Sequence, residues 1–373
     1  MKENKNDWYS INDVEGLDSP ALVIYIERVK QNIAAAINMI GDVNRLRPHI
    51  KTNKSEETAQ LMIGAGITKF KCATIAEAET LGICHAKDVL LAYQPIGPKV
   101  LRFISVIQKY PATKFSCLVD DIVVARQIAE TISAHKLDVP VYLDLNVGQN
   151  RTGIEPGDEA LQLYLDCSKL NGVKPVGLHV YDGHIRDLDW NLRKQNCDKA
   201  FAPVDQMKDD IVKKGLPEPV IIAGGSPTYS IHSKRKSVEC SPGTFVYWDK
   251  GYADLCPEQP FLPAALVITR IVSAPTPTKL CLDLGHKSVA AENEISRRVF
   301  FLNAPELKAV SQSEEHLVVD APADHSYKRG DVLYGLPYHI CPTVALYERA
   351  YTVQDRHVSG EWRVIARDRK ITI

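Results

Sequence analysis

Residues 47–55 read RPHIKTNKS and place Arg47, His49, Lys51 and Lys54 around what reads as the end of a β-strand, VNRLRPHI (43–50). The choice of fold turns on this stretch. A doubly wound open sheet wants a glycine-rich turn after its first strand, and RPHIKTNKS contains no glycine. A closed barrel instead places functional side chains at the C-terminal ends of its strands, which is where Lys51 falls. A lysine amine in a partly dry barrel mouth can lose its proton and condense with an aldehyde. A surface lysine is the ordinary alternative, and Lys54, further into the turn, fits it better.

Working outward, short β-rich runs alternate with amphipathic stretches from about residue 44 to 240. After 43–50 come TKFKCAT (68–74), DVLLAY (88–93), KFSCLV (114–119), VPVYLDL (139–145), KPVGLHV (174–180), PVIIAG (219–224) and SVECSPG (237–243). Helical segments such as SEETAQLMIGAG (55–66), IAEAETLGI (75–83), DDIVVARQIAETISAHK (120–136) and EALQLYLDCSKLN (159–171) lie between them. Eight βα units predict a parallel sheet closed into a (β/α)8 TIM-type barrel. ALVIYIER (21–28) reads as a strand leading into it. Beyond about residue 255, runs such as FLPAALVITRIVSA and DVLYGLPY are β-rich and separated by turn residues, the pattern of an antiparallel β domain. The expected division is a barrel over 20–255 and a β domain over 256–373, joined by residues 1–19.

Lys plus Arg number 45 against 46 Asp plus Glu, a net charge of −1. That balance argues against nucleic acid or an anionic membrane as partner. No apolar run approaches the roughly 20 residues of a membrane span, and the polar start MKENKNDWYS lacks a secretory signal, so a cytoplasmic protein is expected. Nine cysteines without a C-x-x-C pair read as buried thiols rather than a disulfide framework.

Four further motifs carry chemistry. VIIAGGSPTYS ends the seventh strand in Gly224, Gly225 and Ser226, offering backbone N–H groups and a hydroxyl to a phosphate, where barrels often bind one. LDLNVGQNRTG ends the fifth with Arg151, a donor to an anionic oxygen or a rim salt-bridge partner. GLHVYDGHIRD ends the sixth with Tyr181, Asp182 and His184. In YGLPYHICPTV, His339 and Cys341 would share one face of an extended segment. Imidazole and thiolate suit zinc with open positions for water or substrate, and a satisfied histidine beside a buried thiol is the plain alternative.

Together these pieces resemble the D-threonine aldolase and D-serine dehydratase family of alanine-racemase-type (fold type III) pyridoxal phosphate enzymes. RPHIKTNKS is similar to that family's R-P-H-x-K-T-H-K, with Asn53 where the family has histidine, and CATIAEAE, LDLNVGQNRTG, YDGH, AGGSPT and the H-x-C pair follow in the family's order. The resemblance implies that Lys51 carries pyridoxal 5'-phosphate and that Gly224, Gly225 and Ser226 hold its phosphate. Arg151 and Tyr181 would flank the ring, His184 would face the substrate, and His339 and Cys341 would bind a divalent metal, zinc or manganese. The implied substrate is a small D-3-hydroxy amino acid, and the implied assembly is a homodimer. Breaking Cα–Cβ makes the protein an aldolase; expelling the 3-hydroxyl makes it a dehydratase. The YDGH stretch sides with the aldolase, and cysteine rather than aspartate at 341 with the dehydratase. A racemase would leave the metal idle, and a cofactor carrier would need neither the β domain nor the H-x-C pair.

Overall fold

The computed structural model describes residues 7–373. Its contacts divide the chain into two compact units. One comprises Ala34–Gly243 and the tail Asp368–Ile373; the other comprises the described residues through Ile33 and Thr244–Arg367.

The chain enters through β1 (Ala21–Tyr25) and α1 (Ile26–Ile40). Seven βα-type strands follow: β2 (Lys69–Cys72), β3 (Asp88–Leu91), β4 (Lys114–Val119), β5 (Val139–Leu145), β6 (Val173–Val180), β7 (Val220–Ala223) and β8 (Val238–Cys240). They pair in sequence order, every pair parallel. The helices between them are α2 (Glu56–Gly64), α3 (Ile75–Ile83), α4 (Pro98–Lys109), α5 (Ile122–Ala134), α6 (Asp158–Cys167), α7 (Trp190–Lys213) and the single turn α8 (Tyr229–His232). Several start on a side-chain cap that accepts an otherwise unpaired N–H: Ser55 for α2, Thr74 for α3, Asp121 for α5 and Asp189 for α7.

The expected first strand is only partly a strand. Val43–Arg45 form a 3₁₀ turn, and the pairing that follows is two isolated parallel bridges, Leu46 to Cys240 and His49 to Lys71. Pro48 accounts for this, because it has no N–H to give to a ladder. Its carbonyl still accepts from Lys71 N (2.8 Å), while Arg47 N donates to Cys240 O (2.9 Å). Residues 46–49 thereby tie β8 to β2 and complete a ring of eight staves.

Inward-facing side chains form three layers, as alternation along each strand requires. Arg47, Lys69, Asp88 and Glu239 make a charged layer at the N-terminal end. Leu90, Leu118, Tyr142 and Ile222 make the apolar middle. His49, Lys71, Asp144 and His179 make a polar layer towards the C-terminal end, all buried.

The second unit holds α9 (Lys250–Leu255), β9 (Ala265–Thr276), β10 (Lys279–Leu282), β11 (Val299–Phe301), β12 (Lys308–Gln312), β13 (Leu317–Asp320), β14 (Val332–Pro337), α10 (Ile340–Leu346), β15 (Arg349–Gln354) and β16 (His357–Arg363). Its sheet runs β12-β13-β10-β9-β1-β15-β16, with β14 on β9 and β11 on β14. All pairs are antiparallel except β1 with β15. The strand expected to lead into the barrel therefore belongs to this sheet, and the division falls at 33/34 and 243/244 rather than at 20 and 255. A closed ring has no free edge for another strand, whereas β1, buried on both faces, is central in the nine-stranded sheet. Of the segment 1–19 expected here, residues 1–6 lie outside the described residues.

Candidate active site

Lys51 follows the last bridge of the first stave, in the turn before α2. Its own N–H donates to His49 Nδ1 (3.2 Å), so the imidazole fixes the turn that carries the amine. That amine lies 5.7 Å from the centre of the Tyr181 ring, and the guanidinium of Arg151, from the loop after β5, lies 4.9 Å from the same ring. Both are within range of a cation–π attraction. Lys51, Arg151 and Tyr181, singled out from three separate motifs, are thus brought together.

The loop after β7 abuts this group. A Cβ on Gly225 would stand 3.0 Å from the Tyr181 ring. Gly224 has φ +78°, and a Cβ there would meet the His232 ring at 2.7 Å, so only glycine fits on both counts. The loop rests on a buried cluster. Asp182 accepts from Thr228 Oγ1 (2.7 Å) and from His232 Nε2 (2.8 Å), and Cys197 Sγ lies 3.3 Å from that nitrogen. Burial alone would raise the Asp182 carboxyl, but His232, Thr228 and Cys197 together hold it below the usual range. Among the described residues these three groups are also the one His/Cys/Asp/Glu trio close enough to share a metal ion.

His184 lies in the loop after β6, three residues beyond Tyr181. It is exposed, packs against Gly148, and lines a cavity of about 550 Å³ with Val147, Arg186 and Lys199. His339 and Cys341 belong to the other unit. They do not sit on an extended strand as expected: β14 stops at Pro337, His339 caps α10, and Cys341 lies in that helix's first turn. Pro342 is tolerated there because first-turn N–H groups have no helical partner to lose. The His339 imidazole is nonetheless hydrogen-bonded to Cys341 and, through Nδ1, to Glu292. A carboxylate on the imidazole is the usual outer support of a metal-binding histidine.

One constellation was not singled out from the sequence. Lys71 Nζ lies 3.3 Å from His179 Nε2, and His179 Nδ1 lies 2.7 Å from Asp144 Oδ1. The Lys71 amine is also 5.8 Å from the Tyr181 ring. Burial, then Lys51, lowers the Lys71 amine to about 7. Burial likewise lowers His179, with Lys71 next in effect, and lowers His49 well below the ordinary histidine value, with Lys51 and Lys71 adding to it.

A pH dependence of stability follows. The unfolded histidines take protons below about 6.5, while His49 and His179 resist protonation in the fold. Their contribution is present above that pH and is lost as pH falls through it. The thermal midpoint is therefore expected to drop between pH ~8 and ~5.5, and His49→Gln to flatten the drop. A midpoint unchanged over that window in the wild type would contradict this.

The residues fit a phosphate-bearing aldehyde cofactor. Three cations surround one aromatic ring, and Asn53 Nδ2, two residues past Lys51, is a buried donor without a partner. The thiol–imidazole pair with its carboxylate fits a soft divalent metal.

Comparison with known proteins agrees. The family model "Alanine racemase, N-terminal domain" matches residues 24–250, and "Putative serine dehydratase domain" matches 264–353. The chain is 25% identical over 360 residues to a D-threonine aldolase of an Arthrobacter species, covering 94% of this chain and 93% of the relative. It is 27% identical over 237 residues to the D-threo-3-hydroxyaspartate dehydratase of a Delftia species, covering 62% of each. The solved structure of D-threonine aldolase from Filomicrobium marinum superposes with a TM-score of 0.88 at 24% identity, over 95% of this chain and 96% of that one.

Proposed function

The chain belongs to the alanine racemase N-terminal domain family, and from that premise we propose a pyridoxal phosphate- and divalent metal-dependent lyase that cleaves D-3-hydroxy amino acids to glycine and an aldehyde. The observation that carries it is the Lys51 amine at the strand end, facing the ring against which the Gly224–Ser226 loop packs.

Pyridoxal phosphate supplies an electron sink for Cα, and the metal supplies a Lewis acid for the 3-hydroxyl. Lys51 would hold the cofactor through its amine. Gly224, Gly225 and Ser226 would hold the phosphate, and Arg151 and Tyr181 would orient the ring. His339 and Cys341 would hold the metal, with zinc favoured by the thiolate and manganese the other candidate. His184 would serve the substrate from its loop. A homodimer in the cytoplasm is part of the same proposal.

Incubation with pyridoxal phosphate, a divalent metal and D-threonine tests it. Glycine and acetaldehyde, identified by NMR, are expected. Products of 2-oxobutyrate and ammonia would replace the aldolase with the dehydratase, the reading that Cys341 and the Delftia relative favour. Stripping the metal with a chelator should lower D-threonine consumption by about 10²-fold or more and leave the circular dichroism unchanged, and His339→Ala should do the same with lost zinc content. Full activity in a metal-free preparation would remove the metal from the mechanism.

A further inference from the structure

Lys69 and Lys71 sit two apart on the inner face of β2, and they are treated differently. Lys69 makes an ion pair with Glu239, as a structural lysine in a barrel should. Lys71, 3% exposed, meets no carboxylate directly. Its hydrogen-bond partner is the Nε2 of His179, whose other nitrogen is held by Asp144. With Nδ1–H donated to Asp144, Nε2 is left as an acceptor aimed at the amine. Carboxylate, imidazole and a proton-bearing group in that order form the acid–base relay of many hydrolases, here ending in an amine. The amine also faces the ring that Lys51 faces, at 5.8 Å against 5.7 Å.

We infer that Lys71 is a second proton-transferring amine of this barrel, with His179 and Asp144 as its positioning residues. The inference rests on the lyase reading and deepens it. In the cleavage, the 3-hydroxyl loses a proton, the Cα–Cβ bond breaks with its electron pair left at Cα, and Cα takes a proton. Lys71 carries that proton: its neutral amine takes the proton released from the hydroxyl as an N–H bond forms, and an N–H of the resulting ammonium breaks as Cα–H forms, so none is gained or lost overall. The surroundings suit an amine that changes state near neutrality. Lys51 and Arg47 press towards the neutral form, Asp144 and Asp182 towards the charged form, and the neutral imidazoles of His49 and His179 and the Arg151 guanidinium border the same group. Burial adds to the first set, and the balance falls at about 7.

Two measurements test this. In the full chain labelled with [ε-¹³C]lysine, one lysine should titrate near pH 7, and its signal should be missing from Lys71→Met. If every lysine titrates near ~10.4, or the low-titrating signal survives in Lys71→Met, the inference is overturned. In the holoenzyme in D₂O, exchange of the glycine α-proton followed by NMR should fall by about 10²-fold in Lys71→Met, with bound-cofactor absorbance retained. Lys71→Arg keeps a charge but holds its proton; it should lose exchange equally, which separates chemistry from misfolding. Asp144→Asn should shift the pH midpoint of kcat/KM. A wild type that cleaves D-threonine, with both Lys71 variants exchanging at the wild-type rate, overturns the inference alone. A wild type that neither cleaves nor exchanges overturns the lyase reading and the inference with it.

Discussion

Lys51→Ala is expected to lower D-threonine turnover by about 10²- to 10⁴-fold, the span that a positioned amine contributes, and to abolish the visible absorbance of bound cofactor. The reasoning is local. Lys51 sits in a turn held by the His49 imidazole, so its amine is aimed rather than free, and alanine removes the amine without disturbing the bridges at Leu46 and His49 that close the ring. Melting behaviour should stay close to wild type. Absorbance titration with pyridoxal phosphate and an aldehyde-release assay measure the two effects separately. A Lys51→Ala protein that still turns over at the wild-type rate would remove Lys51 from the chemistry.

The largest effect on stability is expected at Arg47. This side chain is 1% exposed and donates from Nε to Glu239 (2.8 Å) and from Nη1 to Asp88 (2.6 Å). Burial works against the charge, but Glu239 and Asp88 more than offset it and hold the guanidinium above its ordinary pKa. The two carboxylates come from β8 and β3, so the arginine pins strands across the point where the ring closes. Arg47→Met nearly conserves volume but strands acidic groups in a dry layer, which costs about 3–5 kcal/mol. Urea unfolding should show the midpoint falling accordingly. A shift under ~0.5 kcal/mol, the size of an ordinary surface change, would mean that Lys69 and solvent already satisfy the layer.

The barrel was legible because its strands are short apolar runs bounded by turn residues, and VPVYLDL (139–145) matches β5 residue for residue. Two segments misled for definite reasons. VNRLRPHI alternates like a strand, yet Pro48 limits it to bridges. YHIC also reads as extended, but Pro342 stands in a helical first turn, where it does no harm. The relay was missed for a different reason. Alternation such as K-F-K-C ordinarily means that the charged positions face water; in a closed barrel the helices cover the outer face, so Phe70 and Cys72 pack outward and Lys71 points in. The signal was present in YLDL and GLHV as well, where Asp144 and His179 stand in otherwise apolar strands.

Two lysines facing one ring make a single measurement decisive. The protein is loaded with pyridoxal phosphate, reduced with borohydride, digested, and its peptides read by mass spectrometry. The account predicts the pyridoxyl phosphate group on Lys51 and an unmodified Lys71. The group on Lys71, or on no lysine of the barrel, would contradict it.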